Sequence, residues 1–296
     1  TDRYILEGLA DQFGLKLILI DNETPGSAVH ERITPEILAP YLSGDVALVT
    51  LEVIQYRSGA RTDIKAITDL VRSHGALTVW DASHAVGAID MNFDSNGVDL
   101  AVGCTYKYGN SGPGSPAWLY VNKRMQRELQ VNIQGWFAQN KQFEMGAGFS
   151  RIDGIRGFQI ASPSIMGIRC VQTAFSMIKE AGIDQIAQKA ARGTQMMIDL
   201  YDAWLAPLGI ELNTSRDSRE RGGHISLVHP EAAQICVGLR EISNVIPDYR
   251  VPNNIRLAIS PLPTSYVEVW DGFDRLRNLV STQRYREAKG TGSKVT

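Results

Sequence analysis

The chain has 296 residues, 44% hydrophobic and 21% charged, with 30 basic against 32 acidic side chains and a formal net charge of −2. That length and apolar content support a sizeable core, divided between one large domain and a smaller one. The balanced charge supplies no bulk field to collect nucleic acid or anionic lipid, and no apolar run is long enough for a membrane span, so a small-molecule partner is favoured.

Thr1 opens directly on a helical stretch, "TDRYILEGLADQFG", with neither an initiator Met nor a signal pattern, and the chain is expected to be truncated or processed there. The elements that follow alternate. "LKLILID" is a predicted strand, followed by a helix near 35 to 42, a strand in "DVALVTLEVI", a helix near 63 to 74, and a strand in "ALTVWDAS". Two further strands lie in "VDLAVGCT" and "PAWLYV". This order predicts an α/β fold with a mostly parallel sheet covered by helices on both faces. Two long helices after Pro163 connect to a smaller α+β part, with strands "HISLVH", "PDYRVP" and "NIRLAIS" and helices near 231 to 241 and 264 to 284. The expected boundaries are 1–163 for the large domain, 164–204 for the connecting helices, 205–285 for the small domain, and 286–296 for a disordered tail.

Ligands of such sheets lie beyond the carboxyl ends of the strands, so the residues just after each strand carry the argument. "VWDASHAVG" and "GCTYKYG" then place Asp81, Ser83, His84, Tyr106 and Lys107 in one crevice. Taken singly, each has a plainer explanation. Lysines after strands are mostly solvated, an aspartate there serves equally as a cap, and a lone histidine is more often packed than catalytic. Together they are chemically coherent: a lysine amine that burial can neutralise, an acid able to hold a proton on a pyridine nitrogen, and hydroxyls able to hold a phosphate. The glycines of "GNSGPGS" fit neither a Walker loop nor the dinucleotide fingerprint. Cys104, Cys170 and Cys236 are too far apart for zinc or disulfide spacing, which suits a reducing cytoplasm without a metal.

Over nearly its entire length, through "LEVIQYRSG", "VWDASHAVGAI", "AVGCTYKYGNSGPGSPAWLYV", "QGWF" and "NNIRLAISPLPTSYVEVWD", the chain resembles the kynureninases, enzymes of pyridoxal-phosphate fold type I. The resemblance implies that Lys107 carries pyridoxal 5'-phosphate, that Asp81 faces its pyridine nitrogen with Asp2 as a second acid, and that Ser83, His84 and Tyr106 line the site. It makes Tyr106 a phosphate contact near the acid–base chemistry, makes Arg256 the grip on the substrate carboxylate, and leaves Arg57 to stabilise either the site or a loop. Trp136 and Ser162 would reach the phosphate from the neighbouring subunit, making a homodimer the functional unit. The implied reaction is hydrolysis of the Cβ–Cγ bond of L-kynurenine or 3-hydroxykynurenine to an anthranilate and L-alanine, in the cytoplasm.

Departures from the family pattern fall in three places. "GWFAQN" has Ala138 and Gln139 where the family usually has glycine and histidine, and "FQIASPSI" has Ala161 and Ser162 where members carry Ser-Asn or Gly-Thr. The family's opening segment, with its phosphate-binding turn and stacking aromatic, is expected to be missing from this chain. Ring specificity therefore stays open. An aminotransferase or β-lyase on a related aryl amino acid, and a non-catalytic relative, remain as alternatives.

Overall fold

The computed structural model describes residues 2–20 and 31–290. Helix α1 (Asp2–Phe13) leads into residues 15–20, which form neither helix nor strand. Leu15, Ile18 and Leu19 of that run are exposed and no strand among the described residues pairs with it, so its apolar pattern builds no ladder there; Asp21, which closes the expected strand, lies outside the described residues.

Helix α2 (Pro35–Leu38) starts with Thr34 as N-cap and proline in its first turn, and ends in a 3₁₀ turn, Ala39–Tyr41. Strand β1 (Leu48–Glu52) follows, then α3 (Ile64–Ser73), capped where Asp63 accepts from Ala66 N at 3.0 Å. Helix α3 buries Ile64, Ile67, Thr68 and Val71, the i, i+3, i+4, i+7 face, and Gly75 at φ +80° ends the turn after it. Strand β2 (Leu77–Asp81) packs beneath that face, its Trp80 Nε1 donating to Thr68 Oγ1 at 3.1 Å. Strands β3 (Leu100–Gly103) and β4 (Trp118–Val121) complete a sheet of order β1-β2-β3-β4, parallel except for β4. Asp99, at the foot of β3, is buried but satisfied: it accepts from Thr78 N and Oγ1 and pairs with Arg124.

Helices α4 (Ile165–Ala181) and α5 (Ile183–Leu200) are separated by Gly182 at φ +80°. Gly193 of α5 permits a close crossing, since a Cβ there would stand 2.4 Å from Ile259 Cδ1. The remainder is a second sheet of β5 (Glu211–Leu212), β6 (His224–Val228), β7 (Asp248–Arg250) and β8 (Asn254–Ala258), antiparallel in the order β5-β6-β8-β7. Helices α6 (Ala232–Glu241) and α7 (Tyr266–Ser281) cover it, α7 opening with a capping box between Ser265 and Glu268. Two apolar clusters result, one around Trp80, Ile67 and Val98, the other around Ile225, Leu227, Ile255 and Phe273. In the segment expected to be a disordered tail, Arg286 pairs with Glu231 and Lys289 N donates to Glu241; residues 291–296 of that tail lie outside the described residues.

The two sheets meet along a seam. Arg61 N donates to Glu220 O at 2.8 Å, Gly222 N to Gly59 O at 2.9 Å, and Thr214 Oγ1 to Ser58 O at 2.6 Å. The loop after β1 is thus fastened to the segment leading into β6. No helix among the described residues is long and apolar enough to cross a membrane.

Candidate active site

Parallel pairing sets Glu52 of β1 opposite Asp81 of β2, and Asp81 opposite Val102 of β3, so the strand ends form one ledge. Beyond it, Asp81 Oδ1 accepts from Ser83 N at 2.7 Å, and Ser83 Oγ accepts from Cys104 N at 3.2 Å. These bonds tie the turn after β2 to the exit of β3. From the other side α1 brings Asp2 into hydrogen-bonding reach of Asp81. Burial, and then the charge and hydrogen bond of Asp81, raise Asp2 above the usual carboxylate value.

Lys107 stands on the turn that faces this ledge. Asn110 N donates to Lys107 O at 3.0 Å and Ser111 N to Thr105 O at 3.2 Å, so main-chain bonds define the turn. Two glycines make it possible: a Cβ on Gly109 would come within 2.4 Å of Thr105 O, and one on Gly87, at φ +76°, within 2.2 Å of Tyr108 O. Lys107 Nζ lies 5.8 Å from the centroid of the half-exposed Tyr106 ring. Its charge acts on Asp2, Glu52 and His84.

The far wall comes from the small sheet. Arg256 of β8 donates through Nη1 to Tyr56 O at 2.5 Å and to His84 Nε2 at 3.3 Å, and through Nη2 to Asp248, which also holds Arg250 at 2.7 Å. Burial, then His224, Lys107 and Arg256, drive His84 far below the usual imidazole value, so its ring is neutral and accepts from the guanidinium. Arg57 pairs with Glu31 and reaches Val251 O at 3.2 Å, which fastens its loop to the small sheet.

Asp2, Asp81, Ser83, His84, Tyr106, Lys107 and Arg256 therefore surround one crevice. Trp136 and Ser162 do not join it within this chain: Trp136 packs edge-on against Phe137 and Phe143 with Nε1 donating to Gln142 O, and Ser162 is exposed. Gln139 braces its own loop, accepting from Ser150 N and donating to Gly148 O. An apolar cavity of about 640 Å³ lined by Phe93, Trp118, Tyr120 and Phe175 includes none of the crevice residues.

Sequence reasoning overlooked Glu52, Tyr108, His224 and Asp248. For Glu52 a signal existed, since it ends "VTLE" as Asp81 ends "TVWD". For His224 and Asp248 the signal is topological only. Burial, reinforced by Asp81 and Asp2 and opposed by a hydrogen bond from Tyr56 N and by Lys107, pushes Glu52 up to about 7. A carboxyl raised from 4.5 to about 7 binds its proton more tightly folded than unfolded. Its stabilisation is complete below 4.5 and is lost as pH rises through about 7. Glu52→Gln keeps an acceptor for Tyr56 N without titrating, so well above neutrality the cofactor-free variant should be more stable than the parent by about 3 kcal/mol, an upper bound. Urea unfolding at a series of pH values measures it; parallel pH dependence in both proteins refutes it.

The family model for the kynureninase C-terminal domain matches residues 186–276. The kynureninase of Geobacillus thermodenitrificans is 39% identical over 248 residues, 83% of this chain and 58% of that one; the kynureninase of Pseudomonas fluorescens is 32% identical over 291 residues, 98% of this chain and 67% of that one. The chain thus spans roughly three fifths to two thirds of these relatives' length. Among solved structures, the apo cysteine desulfurase from Thermococcus onnurineus NA1 superposes with a TM-score of 0.78 at 16% identity, covering 95% of this chain and 70% of that one. A C-DES mutant with glycine covalently linked to its PLP cofactor gives 0.76 at 14% identity, covering 97% and 71%. The fold is that of the pyridoxal-phosphate enzymes of fold type I. Within that class, the chain belongs to the kynureninase family.

Proposed function

We propose that the crevice holds pyridoxal 5'-phosphate on Lys107 and that the protein hydrolyses the Cβ–Cγ bond of L-kynurenine or 3-hydroxykynurenine, yielding an anthranilate and L-alanine. The observation that carries this reading is the convergence of Lys107, the Asp81–Asp2 pair and Arg256 on one crevice from two sheets. The donor set fits the cofactor. Burial and the charge of Asp81 raise both Asp2 and Glu52, so the carboxyls crowd one another at the ledge, and a protonated pyridine nitrogen beside Asp81 would relieve that crowding.

Bound there, pyridoxal phosphate supplies an electron sink for the bonding electrons released at the substrate Cα. Asp81, oriented by Ser83 N, holds the proton on the ring nitrogen. Arg256 orients the amino acid by its carboxylate, and Lys107 Nζ moves the proton to and from Cα. Tyr106, whose phenol burial and Cys104 raise above its usual value, stays protonated and delivers a proton to Cβ after water adds to the γ-carbonyl. Ser83, His84 and Tyr106 complete the lining. Trp136 and Ser162, both exposed, face a neighbouring copy's phosphate in a cytoplasmic homodimer, and the units 1–163, 164–204, 205–285 and 286–296 act as cofactor domain, connector, small domain and tail.

Purified full-length protein supplied with pyridoxal phosphate and either substrate should release fluorescent anthranilate and an equal amount of alanine. Keto acid in place of alanine would point to transamination, and absence of anthranilate would overturn the reading.

A further inference from the structure

Tyr108 follows Lys107 directly, yet its ring is buried and its hydroxyl lies 3.3 Å from Nδ1 of His224, 116 residues away in β6. Burial raises this phenol well above its usual value, so it remains protonated and donates. Nδ1 then accepts, which assigns the His224 proton to Nε2 on a fully buried ring. Burial and then Arg256 push His224 down to about 3, so it is neutral. The His84 ring lies 5.6 Å from that of His224 and accepts from Arg256. Two neutral imidazoles therefore fill the space between the phenol beside Lys107 and the guanidinium of Arg256.

The backbone is shaped to this contact. A Cβ on Gly59 would stand 2.5 Å from His224 O, and one on Gly223 3.2 Å from the Tyr108 ring. With the Gly87 contact on Tyr108 O, three glycines allow the pair to meet. A phenylalanine would fill the Tyr108 site equally well. The hydroxyl adds a directed link between the lysine turn and the strand next to β8.

We propose that Tyr108 and His224 form a positioning couple that fixes Lys107 relative to Arg256, so that an amino-acid substrate is met at its amine and its carboxylate together. This rests on the preceding reading of the crevice. The two groups come from separate sheets, and simultaneous binding at both is productive only when their separation is set beforehand.

The test is titration of the full-length, pyridoxal-phosphate-loaded protein with L-alanine, followed through the cofactor absorbance. Tyr108→Phe and His224→Leu should each raise the Kd about fivefold, the loss of one hydrogen bond, with cofactor uptake retained. The double variant should lose no more than either single one, because both remove the same link. His224→Asn, whose amide oxygen falls near the position of Nδ1, should recover most of the affinity. An unchanged Kd in Tyr108→Phe, or losses that multiply in the double variant, overturns the couple. A wild-type protein that takes up no cofactor overturns the reading of the crevice, and the couple with it.

Discussion

Lys107→Ala should leave a folded protein that no longer holds pyridoxal phosphate covalently and whose turnover falls by at least about a thousandfold. The fold should survive because the turn is made by main-chain bonds, Asn110 N to Lys107 O and Ser111 N to Thr105 O, which alanine leaves in place. The chemistry should not, because Lys107 alone of the crevice residues has an amine able to form the link and carry the Cα proton. Borohydride reduction followed by peptide mass spectrometry decides it: the wild type should carry the reduced cofactor on the peptide containing Lys107, and the variant nowhere. Lys107→Arg should behave like the alanine variant although it keeps the charge, since a guanidinium neither deprotonates nor acts as the nucleophile. A variant that retains the covalent cofactor would remove Lys107 from its assigned role.

Arg256→Leu should reduce kcat/KM by roughly two orders of magnitude, about 3 kcal/mol, mainly through KM. A guanidinium has five N–H donors. Tyr56 O, His84 and Asp248 take three of them, leaving two among the described residues, the number a carboxylate accepts side by side. The substitution strands no charge, because Asp248 keeps Arg250 at 2.7 Å. Arg256→Lys should recover little, its ammonium being unable to serve Asp248 and a substrate in one plane. Steady-state kinetics with kynurenine gives the answer; an unchanged KM in the leucine variant would move the carboxylate grip elsewhere.

Local pattern and spacing made the large sheet readable. Strands β1 to β4, the α3 face and the α4–α5 pair follow from apolar periodicity and caps, and the strand-end rule brought Asp81 and Lys107 together. What escaped was governed by pairing across the chain. Residues 15–20 have the composition of a strand but no partner strand among the described residues, and β5 is two residues long, shorter than any alternation that periodicity detects. Glu52 shares the ledge because β1 and β2 pair in register. His224 and Asp248 enter the site through contacts distant in sequence, His224 with Tyr108 of the lysine turn and Asp248 with Arg256 through the pairing of β7 with β8. Trp136 and Ser162 were drawn from resemblance, and the single chain leaves both on its surface.

The seam between the sheets has a mechanical meaning. Its bonds lie at Ser58, Gly59 and Arg61, with Arg256 fastened to the adjacent Tyr56 carbonyl, and the lysine turn adds two more, Tyr108 to His224 and Ser260 Oγ to Asn110 Oδ1 at 3.1 Å. Bonds therefore cross between the sheets on both flanks, at the loop after β1 and at the lysine turn. A motion that parted the sheets would have to rupture both sets, so the two jaws of this vice, the amine and the guanidinium, are clamped at a set gape.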